Sequence, residues 1–295
     1  MAVLQTQGLR KRFGKVKALD GVDLSVEKGE VYGFIGPNGA GKSTTIRVLL
    51  GILRADEGTA RVFGLDAWKD VVRIHRNIAY VPGDVRLWNS LTGGEVIDLF
   101  LRLRTGREAS YRNELIERFD FDPSRRCGTY SKGNRQKVAL IAAFSADADL
   151  YILDEPTSGL DPLMELEFRA CVAEAAARGA SVLLSSHVLS EVELLCDRIS
   201  IIRRGRIIDS GSLADMRHLT RNKVLVEAEA PLEGLERLAG IHELSIEGPK
   251  ASFSIDNAQT ALLLAFLADK GVRHLTSTPP TLEELFMSRY SGQEA

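Results

Sequence analysis

Residues Gly36-Pro37-Asn38-Gly39-Ala40-Gly41-Lys42-Ser43 satisfy the phosphate-loop pattern G-x-x-x-x-G-K-[ST] at every required position. That spacing constrains the chain around it to a strand, a tight loop and a helix. The apolar run Val31-Tyr32-Gly33-Phe34-Ile35 leads into the loop like a buried strand, and residues 43–50 leave it with helical spacing. The glycines let backbone N–H groups close around phosphate oxygens, the helix start adds partial positive charge, and Lys42 adds a full one. Ser43 is then placed to hold a magnesium ion, and residues 36–44, ending at Thr44, read as an ATP site.

The flanking sequence supplies the rest of an α/β fold. Segments 3–9, 16–19 and 24–26, broken at Gly14 and Gly21, predict antiparallel strands, and Phe13 lies in the first break, where it either stacks on adenine or packs the loop. Residues 56–62 read as a turn and strand, and 78–81 as a strand running into Pro82-Gly83-Asp84. Between 87 and 147 the pattern turns helical. Thr92-Gly93-Gly94-Glu95 is a capping box opening a helix over 96–103, a second helix covers 114–119, and Ser131 precedes a long apolar helix over 137–146. Ser131 and its neighbouring N–H groups make a second helix start suited to an anion. The apolar run 150–153 ends in Asp154-Glu155, at the carboxyl end of a buried strand where ligands of parallel sheets bind. Asp154 there suits a magnesium-bound water, and Glu155 a general base for water attacking the terminal phosphate. A turn through 157–161 leads into a helix over 163–178, and a last buried strand over 181–186 ends at His187.

Charge and cysteine usage narrow the partners. Lys plus Arg number 38 against 40 Asp plus Glu in 295 residues, so no strong field invites nucleic acid. Arg125-Arg126 and Arg203-Arg204-Gly205-Arg206 read as solvated turns, the second a surface hairpin around Gly205. Three scattered cysteines imply neither a disulfide framework nor a metal site, and suit a reducing compartment. The N-terminus lacks the pattern of a signal peptide, and no stretch approaches the roughly 20 apolar residues of a membrane span.

The ordered set of motifs over residues 3–212 resembles the ATP-binding cassette subunit of an ABC transporter. Phe13 matches that family's adenine-stacking aromatic and Gly36 to Ser43 its Walker A loop. Tyr130-Ser131-Lys132-Gly133-Asn134 matches the signature sequence, and Asp154 with Glu155 the Walker B pair. Ser158-Gly159-Leu160-Asp161 matches the D-loop and His187 the switch histidine. The resemblance implies two cassettes facing each other head to tail, as a homodimer. Each ATP would lie between the Lys42 loop of one subunit and the Ser131 helix start of the other. Glu155, His187 and Lys42 become the catalytic set, and Ser43 and Asp154 the magnesium ligands. The implied partner is a separate transmembrane permease, met at the cytoplasmic side of the membrane.

Domain boundaries follow a change in composition. Residues 1–214 read as the ATPase domain, with a helical subdomain at about 85–147, and residues 215–295 as a small α+β accessory domain. Strands over 223–230, 241–246, 251–255 and 272–277, with helices over 232–238 and 258–270, predict a ferredoxin-like βαββαβ order. A final capped helix follows Thr281-Leu282-Glu283-Glu284. A tail ending in Leu-Glu-Glu-Leu-Phe looks like that of bacterial exporters of drugs, antibiotics or lipids. The alternatives are a soluble ABC ATPase acting on ribosomes or nucleic acid, and a nucleotide-binding regulator without catalysis. Where the family usually has Gln after the strand at 78–81, this chain has Gly83-Asp84, so position 83 offers no side chain to metal or water. The signature also reads Tyr-Ser-Lys-Gly-Asn in place of Leu-Ser-Gly-Gly-Gln. Modest intrinsic turnover is expected, and Gly83→Gln is expected to raise the rate of phosphate release, an unchanged or lower rate counting against this role for the loop.

Overall fold

The computed structural model describes residues 2–103, 109–213 and 221–279. The chain divides into two compact units, 1–210 and 211–295. The first runs β1 (Ala2–Phe13), β2 (Val16–Glu27), β3 (Val31–Ile35), α1 (Lys42–Leu49), β4 (Glu57–Val62), β5 (Leu65–Asp66), α2 (Val71–His75) and β6 (Ile78–Val81). It continues through α3 (Gly93–Arg102), α4 (Ala109–Arg118), α5 (Lys132–Ser145), β7 (Leu150–Asp154), α6 (Pro162–Ala177), β8 (Ser181–Ser186), α7 (Leu189–Leu195), β9 (Arg198–Arg203) and β10 (Arg206–Ser212).

Two sheets build this unit. A four-stranded sheet in the order β2-β1-β4-β5 is antiparallel, and a six-stranded sheet follows the order β10-β9-β3-β8-β7-β6. The β3, β7 and β8 runs are apolar or small except for Asp154 at the end of β7, and every residue in them is buried, as a strand covered on both faces requires. β3 lies parallel between β8 and β9, and β7 parallel between β8 and β6. The phosphate-loop strand and the carboxylate strand thus stand with a single strand between them, their carboxyl ends at one edge.

Helix starts depart from the sequence reading in one direction. α5 begins at Lys132 and not at residue 137, and α3 at Gly93 and not at residue 96. In both the first turn is polar and carries no apolar period, whereas the cap marks the true start. Ser131 Oγ accepts from the Asn134 N–H at 3.2 Å, and the Thr92–Glu95 capping box forms with both reciprocal bonds. Gly205 is also not a surface residue. Arg204 (φ 49°) and Gly205 (φ 76°) form the two-residue turn between β9 and β10. The turn packs under the phosphate loop, with Gly205 N–H donating to the Ala40 carbonyl at 2.8 Å and Asp20 N–H donating to the Gly205 carbonyl at 2.8 Å.

The second unit holds β11 (Arg221–Ala228), β12 (Ile241–Glu247), β13 (Lys250–Asp256), α8 (Thr260–Leu267) and β14 (Val272–Thr278). The strands form one sheet in the order β12-β13-β11-β14, antiparallel at every ladder, which is the ferredoxin-like arrangement. The helix expected over 232–238 is a single 3₁₀ turn, Leu235–Arg237. Pro231, Gly234 at φ 92° and Gly240 at φ 80° leave too little chain between them for a longer helix. Leu235 and α8 close an apolar core against Val224, Phe253 and Ile255. The expected final helix lies outside the described residues.

Candidate nucleotide site

The loop between β3 and α1 is shaped by its neighbours as much as by its own glycines. A Cβ at Gly36 would lie 2.4 Å from the Ile202 carbonyl oxygen, and Gly41 sits at φ 119°, a conformation open chiefly to glycine. Among the described residues no side chain caps the start of α1. Its first-turn N–H groups therefore face the loop, the arrangement that suits an anion. Lys42 is 5% exposed; its Nζ donates to the Gly36 carbonyl at 2.5 Å and stands 3.0 Å from Glu155 Oε1. Thr45, one turn on, donates its hydroxyl to the Gly41 carbonyl at 3.0 Å and closes the loop against the helix.

Glu155 is the point at which several elements meet. It follows β7 directly and holds φ 51°, a left-handed backbone that a glutamate adopts only at a cost of about 1–3 kcal/mol. Its N–H donates to the Ser185 carbonyl on β8 at 3.0 Å, which fixes the backbone. Its carboxylate is shared: Oε1 faces Lys42, and Oε2 lies 2.5 Å from Nδ1 of His187 at the end of β8. Oε1 is buried and has no hydrogen bond, so the ion pair with Lys42 is its sole polar contact among the described residues. Asp154, the last residue of β7, accepts from Ser185 Oγ at 2.5 Å.

Asn38, Ser43, Asp154, Glu155, Ser158 and His187 line one open cleft of about 530 Å³. Tyr80 and Arg47 also border it, and neither was singled out from sequence. Burial and the negative charge of Asp154 push the Tyr80 hydroxyl up to about 12. Gly83 lies against the same strand end. A Cβ there would stand 3.1 Å from the Asp154 carbonyl oxygen and 3.4 Å from Glu155 Cβ, so a side chain at this position would sit beside both carboxylates after a shift of a few tenths of an ångström.

The other sequence-selected residues lie outside that cleft. Phe13 ends β1, 51% exposed, with Lys11 Nζ 5.8 Å from its ring centroid. Ser131 and Lys132 are exposed and Gly133 and Asn134 half-buried at the start of α5. Lys132 Nζ donates to Ser158 Oγ at 2.5 Å, and Gly159 faces Gly133. Asp161 caps α6 by accepting from the Met164 N–H at 3.0 Å, with Leu160 half-buried before it.

Sequence reading missed α7 and its buried Glu191. α7 can lie on the sheet because Gly33 has no side chain: a Cβ there would stand 2.4 Å from Val192 Cγ1. Glu191 accepts from Ser186 Oγ at 3.1 Å, beside the switch position. Ser190, Glu191 and Glu193 stand together in a seven-residue helix, too short for a periodic signal to mark which of them is buried.

A phosphate loop, a paired carboxylate strand and a histidine at the next strand end define an ATP-binding cassette. The comparisons agree. The ABC transporter family model matches residues 19–158, and the model for the C-terminal domain of DrrA1-3-like ATP-binding proteins matches residues 211–290. The chain is 39% identical over 227 residues to the daunorubicin/doxorubicin resistance ATP-binding protein DrrA of Streptomyces peucetius, covering 75% of this chain and 69% of that one. It is 33% identical over 298 residues to the daunorubicin resistance ATP-binding protein DrrA3 of Streptomyces coeruleorubidus, covering 96% and 94%. A solved ATP-binding subunit of an ABC transporter superposes with a TM-score of 0.68 at 32% identity, over 74% of this chain and 92% of that one. The chain belongs to the ABC transporter family, as an ATP-binding ATPase subunit with a DrrA-like C-terminal domain.

Burial holds the Glu191 carboxyl above its ordinary value of 4.5, Glu165 and Glu155 add to the rise, and hydrogen bonds from Thr157 and Ser186 oppose it. A carboxyl raised in the folded state loses stability as the pH climbs through its folded value and costs nothing well below 4.5. Glu191→Gln keeps the hydrogen bonds without the charge. It is expected to melt about 2–4 °C above wild type at pH 8, with the gap closing as the pH falls toward 4; a gap independent of pH would contradict this.

Proposed function

We propose that this chain is the ATP-hydrolysing motor of an exporter of a drug, antibiotic or lipid-like substrate, acting on a separate membrane subunit from the cytoplasmic side. The observation that carries the hydrolytic part is the carboxylate of Glu155 bridging Lys42 and His187 in the cleft that also holds Ser43 and Asp154. Export is supported by likeness along both units to a resistance ATP-binding protein. Residues 1–214 are read as the motor and 215–295 as the accessory domain.

The residues divide the work by position. Backbone N–H groups of the loop over 36–44, other than Pro37, which has none, and Ala40, whose N–H is held by the Pro37 carbonyl, join the Lys42 ammonium in holding the β- and γ-phosphates, and Phe13 stacks on adenine. Among the described residues no cluster of three or more His, Cys, Asp and Glu forms a metal site. Ser43 and Asp154 would hold a magnesium ion, which would supply neutralisation of phosphate charge. In the pair seen here Lys42 and Glu155 satisfy each other; a γ-phosphate competes for Lys42 and frees Glu155 to take a proton from the attacking water. His187, within hydrogen-bond distance of Glu155, orients that carboxylate and contacts the γ-phosphate. Ser131, Lys132, Gly133 and Asn134 meet the nucleotide of a second subunit, and residues 158–161 line the same junction. ATP thus bridges a homodimer, and hydrolysis releases it.

An apolar groove of about 300 Å³ supports a membrane partner. Leu50, Ile52, Ile78, Leu87, Phe100 and Val138 line it, joining the ATPase core to α3 and α5. Among the described residues no helix is long and apolar enough to cross a membrane, so the substrate path is assigned to the other subunit.

The test is magnesium-dependent ATP hydrolysis by the purified chain beside Glu155→Gln, with dimerisation followed by light scattering. Glu155→Gln is expected to lose activity by about 10²-fold or more and to form an ATP-dependent dimer. Equal turnover of the two proteins would overturn the role of Glu155, and absence of a dimer the shared-nucleotide arrangement.

A further inference from the structure

The loop that follows Glu155 is gripped from one side by a single helical turn. Gln136 on α5 is 1% exposed, and its Nε2 donates to the Pro156 carbonyl, the first carbonyl after Glu155, at 2.9 Å. One turn earlier, Lys132 Nζ donates to Ser158 Oγ at 2.5 Å. Between them, a Cβ at Gly133 would stand 2.4 Å from the Gly159 carbonyl oxygen, so the two backbones touch there with no room for a side chain. The Ser158 N–H donates back to the Glu155 carbonyl at 3.2 Å. Three contacts within one and a half turns of α5 therefore fix residues 156–159, and through them the left-handed backbone of Glu155.

From this juxtaposition we infer that Gln136 is a positioning residue for hydrolysis: it holds the Glu155 carboxylate in place and transmits movement of α5 to it. The inference rests on reading Glu155 as the general base. The buried bond is the firmest of the three, since Lys132 is exposed and its contact is open to solvent competition. α5 also carries Ser131 at its start and Val138 in the apolar groove. A displacement of this helix, from either end, would reach the base through Gln136.

Gln136→Met keeps the length of the side chain and removes the donor. In the full-length protein, kcat for ATP is expected to fall about 10- to 100-fold with KM and fluorescent-ATP affinity within about twofold of wild type. In a Glu155→Gln background the same change is expected to cost nothing further, because both act on one step. Amide exchange is expected to quicken at residue 155 and at 157–159 and nowhere else. Unchanged kcat, or a rise in KM that accompanies a lowered Tm, would overturn the inference and leave Gln136 a packing residue. Equal turnover of Glu155→Gln and wild type would instead remove the reading of Glu155 on which it rests. Lys132→Met, at an exposed position that does not threaten folding, gives a second measurement. Faster exchange confined to the same amides supports the grip, and unchanged exchange there overturns it.

Discussion

A buried lysine without an anion would be untenable in this fold. Lys42 is almost wholly enclosed, and the carboxylate of Glu155 at 3.0 Å and the Gly36 carbonyl at 2.5 Å are what make its charge tolerable. That pair joins the start of α1 to the end of β7, elements that sequence keeps far apart. The sheet order puts only β8 between β3 and β7, so both carboxyl ends open on one cleft.

The surrounding structure serves to hold that pair in register. β8 supplies the Ser185 carbonyl and hydroxyl to the two acidic residues and leads directly into His187. The β9–β10 turn supports the phosphate loop from below, through Ala40. α7 lies close on β3 because Gly33 leaves it space, and it brings Glu191 to Ser186. Helix α5 grips the loop after Glu155. The energetic strain at Glu155 is thus over-determined from several directions, as a left-handed glutamate requires.

Much of this was legible in the sequence because its chemistry is local. The residues from Gly36 to Ser43 and the Asp154-Glu155 step announce themselves by spacing, and the apolar runs of β3, β7 and β8 by composition. What stayed hidden depends on contacts between distant segments. Gln136 looks like any polar residue near a helix start until Pro156 is seen beside it, and Gly205 looks like a surface turn until Ala40 is. The first turns of α3 and α5 were misread since polar residues carry no helical period, although their caps were visible. In the second unit the strand order followed from the pattern, but the helix expected over 232–238 did not survive its flanking proline and glycines.

We propose that Lys42 and the loop N–H groups form a triphosphate site held ready by Glu155. Calorimetric titration of ATP with magnesium into wild type and Lys42→Ala addresses it directly. Affinity about 100-fold weaker in the variant, equivalent to about 2.8 kcal/mol, is expected if the lysine holds the phosphates. Equal affinity in the two proteins would contradict that role for Lys42 and move the nucleotide elsewhere.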